Sequence, residues 1–288
     1  MIGLAFALVS AVGYGVSDFV GGLASRRVAA LRVVLVSYPV ALVLLTALAF
    51  VVGGQVSTPA IVWGGLCGIG QAFGVWWFYA ALGSGPMSLV SPLTAILVAG
   101  IPVGTGVVLG ERPSLVAYCG IVLALVAVVL VSREVRDEPP PGTGSDSTAH
   151  RFTAKVALLT LGSGLAFGLN FVLIDQAPAD ARLWPLVFAR LAASVVVFAV
   201  AAVTGDLAAP SGIPLRLALA AGVVDTIANV SMLLALQASM LSLTSVLISL
   251  YPASTVGLAM LVLKERVTRL QAAGMALALT SVALIAAS

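Results

Sequence analysis

Ten continuous apolar stretches follow one another along this chain and leave room for little else. They run Ile2–Leu23, Ala30–Val52, Ala60–Leu82, Met87–Leu109, Leu115–Ser132, Ala154–Ile174, Leu183–Val203, Leu215–Leu236, Leu241–Leu263 and Val267–Ala286. Roughly twenty apolar residues is the length an α-helix needs to cross the hydrocarbon core of a bilayer. Only helices and closed barrels satisfy their own backbone in lipid. Barrel strands alternate polar and apolar residues; these runs do not alternate. The predicted fold is therefore an all-α integral membrane protein of about ten transmembrane helices. Met1 to Gly13 has no basic run ahead of it and reads as the start of the first span rather than a cleaved leader.

Composition agrees. Only 9% of the residues are charged and 61% are apolar, against roughly 25% charged in soluble domains. The 14 basic residues lie mostly in short loops, a topology signal and not a nucleic-acid patch. Cys67 and Cys119 both fall inside apolar runs, and the single histidine, His150, lies in a loop. Neither a disulfide nor a metal site is implied, and no cofactor is expected.

Most connections are short, so consecutive helices must be antiparallel neighbours. The exception is residues 133–152, where charged residues precede Pro139-Pro140-Pro141-Gly142, a polar linker in composition. Five spans precede it and five follow. Shifting residues 81–130 by 154 lays them without a gap on 235–284, with 17 identities in the 50 positions. The matches include Ser88 on Ser242, Ser91 on Ser245, Glu111-Arg112 on Glu265-Arg266, and Gly120 on Gly274. The organisation expected is one five-helix repeat over 1–132, a linker over 133–152 and a second repeat over 153–288. Two copies of an odd number of spans must be inverted relative to each other, a recurring build of secondary transporters, with the site between the halves.

The hairpin ending Leu109-Gly110-Glu111-Arg112-Pro113, followed by Gly120 and an apolar helix, resembles the EamA family of the drug/metabolite transporter superfamily. Leu263-Lys264-Glu265-Arg266 with Gly274 repeats the pattern, and Gly13-Tyr14-Gly15-Val16-Ser17-Asp18-Phe19 resembles the first helix of such proteins. The resemblance implies a ten-helix bundle around a central cavity, with the fifth and tenth helices peripheral. It also implies export of amino acids, other metabolites or drugs. It is specific for fold and weak for substrate. Orientation receives two answers. Lys and Arg counts near span ends put the linker in the cytoplasm and both termini outside, whereas the resemblance implies cytoplasmic termini.

Ionisable groups inside a span are expensive and are functional candidates by default. Ser10, Tyr14 and Asp18 stand at i, i+4 and i+8 on one face of the first span. That face forms either a cavity wall or an interhelical hydrogen-bond cluster. Asp225 and Asn229 share a face of the eighth span, and Arg190 is the deep cation beside them. Arg190 and Asp225 form either a structural ion pair or a site for an anionic group and a coupling proton. The ion pair is the more economical reading, because an unpaired buried charge is so costly. Ser91 and Ser245 open matched helices that also contain Pro92 and Pro252; they pack helices together or face the cavity. Gln71, Trp76, Trp77 and Tyr79 make an interfacial belt or line a pocket, with the belt favoured. Asn170 is a further deep polar group. The candidate cavity set is Tyr14, Asp18, Gln71, Ser91, Asn170, Arg190, Asp225, Asn229 and Ser245. Glu111-Arg112 and Glu265-Arg266 sit at turns, suited to capping helix ends. Gly21-Gly22, Gly64-Gly65, Gly68 and Gly70 are places where backbones can come close.

No GxxxxGK[ST] and no HExxH occurs, and no histidine neighbours a membrane serine, so neither ATP hydrolysis nor hydrolase chemistry is implied. The expected protein is a non-enzymatic secondary transporter of small metabolites, an exporter in a bacterial inner membrane. It would work by alternating access, with lipid around it, proton coupling open, and either a monomer or a homodimer as the working unit. A lipid-carrier flippase and a non-transporting membrane scaffold are the rivals.

Overall fold

The computed structural model describes residues 2–25, 27–84, 87–131, 153–263 and 268–287. Within them, the side chains of 79, 80, 82–84, 87–93, 95, 131, 252, 255, 256, 259, 260, 263 and 286 lie outside the description. The linker and Glu265-Arg266 are therefore outside the described residues, and so are the side chains of Tyr79, Ser88, Ser91, Pro92 and Pro252.

Among the described residues the chain is helical with no strand. The helices are α1 (Ile2–Ser25), α2 (Ala30–Val52), α3 (Thr58–Ser84), α4 (Met87–Val108), α5 (Leu115–Val131) and α6 (Ala154–Asp175). After a single 3-10 turn come α7 (Trp184–Thr204), α8 (Gly212–Ala238), α9 (Leu241–Ile248), α10 (Tyr251–Leu263) and α11 (Arg269–Ala286). Six of them, α1, α2, α3, α6, α7 and α8, are long and apolar enough to cross a membrane over their described residues. The apolar parts of α4, α5 and α11 described here are shorter. Valine, leucine and phenylalanine side chains stand exposed along the outer faces, as at Val43, Phe50, Val122, Leu158 and Val195. Such an exterior suits lipid, and the protein is a multi-pass membrane protein.

One expectation needs correction. The ninth apolar run, Leu241–Leu263, is two helices and not one, interrupted at Ser249-Leu250. Pro252 has no N–H to give to the carbonyl four residues back, that of Ile248. The hydroxyls of Ser245 and Ser249 bond the carbonyls of Ser242 and Val246 at 3.1 and 2.8 Å, competing with the main-chain ladder. The ladder gives way to tight turns: Leu250 N donates to Leu247 O and Ala253 N to Leu250 O. Proline alone does not decide this, since α2 runs unbroken through Pro39.

The heaviest packing is between the segments before and after the linker, not within either one. α1 lies along α8, and α6 lies along α3; α2 packs on α8 as α7 packs on α3; α4 packs on α6 as α9 and α10 pack on α1. α2 meets α7, α4 meets α9 and α5 meets α11. Each of these contacts recurs when the two halves are exchanged.

The α3–α7 seam shows how sequence sets the approach. Gly64 and Gly68 stand one turn apart on α3. A Cβ on Gly68 would sit 1.9 Å from the carbonyl oxygen of Ala189, and one on Gly64 would sit 2.3 Å from that of Pro185. The two helices therefore touch backbone to backbone, as small residues permit in membranes. Gly21, Gly22 and Gly65 have open space where a side chain would be, so the expected close approach does not occur at them.

The seam between α2 and α7 is fastened at both ends. Arg32, at the start of α2, pairs with Asp206 beyond the end of α7 at 2.6 Å. Arg182, just before α7, donates from Nη1 to the carbonyl of Val52 at the end of α2, at 2.7 Å. These contacts at the helix ends, one part-buried and one exposed, fix register more than they add stability.

Candidate functional site

Four elements converge on one buried cation. Arg190 lies seven residues into α7 and is only 2% exposed. A guanidinium at that depth needs partners. Its Nη2 donates to Asp225 Oδ2 of α8 at 2.6 Å. Its central carbon stands 4.6 Å from the centroid of the Tyr38 ring of α2, a cation–π contact. Its carbonyl accepts from the Ser194 hydroxyl at 2.7 Å. Its second terminal nitrogen, Nη1, is buried without a hydrogen-bond partner.

Asp225 is less enclosed, with 18% of its side chain exposed. Asn229 sits one turn further along α8 and donates from Nδ2 to the Asp225 carbonyl at 2.8 Å. Asn229 therefore serves the helix backbone and also lies within hydrogen-bond reach of the Asp225 carboxyl.

The polar face of α1 meets α8 from the other side. The Ser10 hydroxyl donates to Ala228 O at 2.9 Å, and Ser17 donates to Ala221 O at 3.1 Å. The Tyr14 hydroxyl points at the Met232 sulfur, 3.4 Å away. Tyr14 also lies within electrostatic reach of Asp225, Arg190, Cys67 and Asp18. Asp18 is exposed, yet it is close enough to Asp225 for the two carboxylates to act on each other. One side of α1 thus carries both an interhelical hydrogen-bond cluster and an open carboxylate.

The remaining candidates divide. Asn170 is buried on α6 and donates to the Cys67 sulfur of α3 at 3.1 Å. Gln71 is half-buried one turn along α3 from Cys67. Ser245 is fully buried in α9, with its hydroxyl turned back onto the Ser242 carbonyl. Ser91 lies outside the described side chains. Trp76 is half-exposed, whereas Trp77 packs where a side chain at Gly162 would stand and lies beside Phe73. Structure therefore brings Tyr14, Asp18, Arg190 and Asp225 together, with Asn229 bonded beside Asp225. It places Asn170 with Cys67, and Ser245 apart in its own half-helix.

Three neighbours were not expected from sequence. Tyr38 carries the only phenol in the second apolar run, but its place under Arg190 depends on how α2 crosses α7. Cys67 and Met232 offer soft sulfur acceptors, and nothing in an apolar run distinguishes such a residue from core. Among the described residues no cluster of three His, Cys, Asp or Glu side chains is arranged to hold a metal.

The arrangement is chemically a charge pair with one spare donor, an adjacent open carboxylate, and a phenol and phenolic ring nearby. It lacks a nucleophile–base pair among the described residues. Comparison with known proteins gives a concordant result. The model of the EamA-like transporter family matches twice, over residues 1–133 and 154–287. No curated protein matches the chain by sequence. A solved crystal structure matches with a TM-score of 0.70 at 16% identity, over 96% of this chain and 98% of the other. At that identity the likeness concerns the fold alone.

Proposed function

This chain belongs to the EamA-like transporter family, and on that premise we propose that it is a secondary transporter of small metabolites. Its ten spans form two inverted five-helix repeats, residues 1–132 and 153–288, that rock about a central cavity. The observation that carries the reading is the Arg190–Asp225 pair. It stands in the middle of apolar helices, where charge is costly, with Nη1 lacking a partner and the Asp18 carboxylate open beside it. Most donors of a buried pair find a partner, so a free Nη1 fits a site that exchanges partners during a transport cycle. The recurrence of helix contacts when the halves are exchanged supports the inverted build.

Tyr14, Asp18, Arg190 and Asp225 line the path in this reading. Asn170, Gln71, Asn229, Ser91 and Ser245 belong to the surrounding wall. The direction proposed is outward, across a bacterial inner membrane, and amino acids, related metabolites and drugs are the solutes to test. Asp18 and Asp225 are the groups through which a proton would couple.

The test is counterflow in liposomes loaded with a panel of such solutes, comparing the protein with Asp225→Asn and Arg190→Ala. Saturable uptake that both folded variants lose is the expected result. Uptake that survives in both variants would remove the pair from the path. Absence of uptake for every solute would favour a flippase or a scaffold on the same fold.

A further inference from the structure

One contact between the two halves that this cluster does not use lies at Glu111. Leu109 N and Gly110 N close the last turn of α4 on Thr105 O and Val107 O. Gly110 then takes φ +103° and reverses the chain. Glu111 N donates back to Gly106 O at 2.9 Å. This turn aims the Glu111 side chain across Gly106, where a Cβ would stand 2.3 Å from Oε2. Two glycines thus build the seat: one supplies the reversal, the other supplies the room. The carboxylate goes to the start of α9. Oε1 accepts from Leu241 N, and Oε2 accepts from Ser242 N at 3.0 Å.

An anion on two of the free N–H groups at a helix start satisfies donors the helix cannot and meets the positive end of its dipole. Ordinary caps come from the residue just before the helix. Here that residue is Met240, which gives no side-chain bond, and the cap comes from 130 residues away on the other half. The helix it holds is eight residues long, buried at every position except the half-buried Leu243, and severed from α10 at Ser249-Leu250. α9 packs against α1, α4, α5, α6 and α8, so it plugs the meeting point of both halves. The Ser242 hydroxyl, beside the cap, is buried without a partner, so this end of α9 is incompletely tied. The neighbouring charges are Arg112, whose Nη1 donates to the Val107 and Glu111 carbonyls, and Asp175 at the end of α6, which lies within electrostatic reach of Glu111.

We propose that Glu111 is a releasable latch: while its carboxylate holds the amides of Leu241 and Ser242, the half-helix α9 closes one end of the path, and when it lets go α9 swings about Ser249-Leu250. The path rests on the transport reading above; the latch is tested without transport. In a Cys119→Ser background, Val246→Cys places a thiol at a fully buried position of α9. Its labelling by a charged maleimide is followed on the Val246 peptide by mass spectrometry, in the full-length purified protein. Charge-assisted bonds of this kind are individually strong, and loss of them in Glu111→Ala should raise the labelling rate about tenfold. Glu111→Gln, which keeps an acceptor without charge, should fall between. Unchanged rates in both variants, with the protein eluting as a single folded species, overturn the latch and leave Glu111 a static cap. Where Glu111→Ala does not fold, Glu111→Gln, which keeps an acceptor at the same place, carries the test alone, and an unchanged labelling rate in it overturns the proposal. Either result is readable whether or not any solute is found to move.

Discussion

Arg190 gives one terminal nitrogen to Asp225 at 2.6 Å and keeps the other, Nη1, buried without a partner. The two nitrogens have different consequences for mutation. Removing Asp225 strands a cation that is 2% exposed. Asp225→Ala is therefore expected to destabilise the protein by about 3 kcal/mol, read as a lower thermal unfolding midpoint in detergent. Replacing both partners by apolar residues, Arg190→Met with Asp225→Leu, should recover most of that loss, because no charge is then left unpaired. Transport should stay lost in the double variant. Recovery of stability without recovery of transport separates the structural share of the pair from its share in the path.

Tyr38 offers a gentler probe of the same cation. Its ring lies under the guanidinium at 4.6 Å, and a desolvated cation–π contact is worth about 2 kcal/mol. Tyr38→Phe keeps the ring face; Tyr38→Leu does not. The leucine variant should be the less stable of the two by about 1 kcal/mol or more. Equal midpoints for the two variants would show that the ring serves only as bulk.

The two cysteines report on placement. Cys67 is 2% exposed and shares its sulfur with the Asn170 amide, whereas Cys119 is exposed on α5. In membranes, a lipid-soluble maleimide should label Cys119 and spare Cys67 until the protein is denatured. A charged maleimide should label neither, provided the exposed face of α5 looks into lipid. Rapid labelling of Cys119 by the charged reagent would place that face in water and would contradict a peripheral, lipid-facing α5.

How much of this was legible in the sequence follows from what each feature depends on. The helices were legible because a long apolar run has one stable form in lipid, and α2 begins and ends at the residues the hydropathy picks out, Ala30 and Val52. The break in the ninth run was half legible. Pro252 was visible, but Pro39 sits in α2 without breaking it, so the residue type does not decide the outcome. The partnership of Arg190 with Asp225 was open to inference, since the run of α7 holds one cation and that of α8 one acid. Tyr38 was not, because its proximity arises from how α2 crosses α7. Glu111 was legible as a capping residue but not as a cap on another helix 130 residues away. The distance between chain position and spatial position is set by tertiary packing, which periodicity does not carry.

The close seam between α3 and α7 gives the last expectation, and it ties packing to the charged pair. Gly68 faces the Ala189 carbonyl so closely that a methyl group would overlap it at 1.9 Å, and Ala189 is bonded directly to Arg190. Gly68→Ala must push α7 away from α3, because the obstructing atom is backbone and cannot rotate aside. The shift would carry Arg190 with it and lengthen the reach to Asp225. Overpacking of this sort costs about 1–3 kcal/mol, so the variant should elute with an enlarged aggregate fraction on size exclusion and unfold at lower temperature. Gly65 is three residues earlier on the same helix, with nothing within 4 Å of a Cβ. Gly65→Ala should be neutral or slightly stabilising, since alanine favours the helix by about 1 kcal/mol over glycine. The comparison holds residue change and helix constant, so a difference between the two variants measures the seam itself. If both variants behave alike, α3 and α7 do not touch backbone to backbone, and the position of Arg190 must be set by Asp225 and Tyr38 alone.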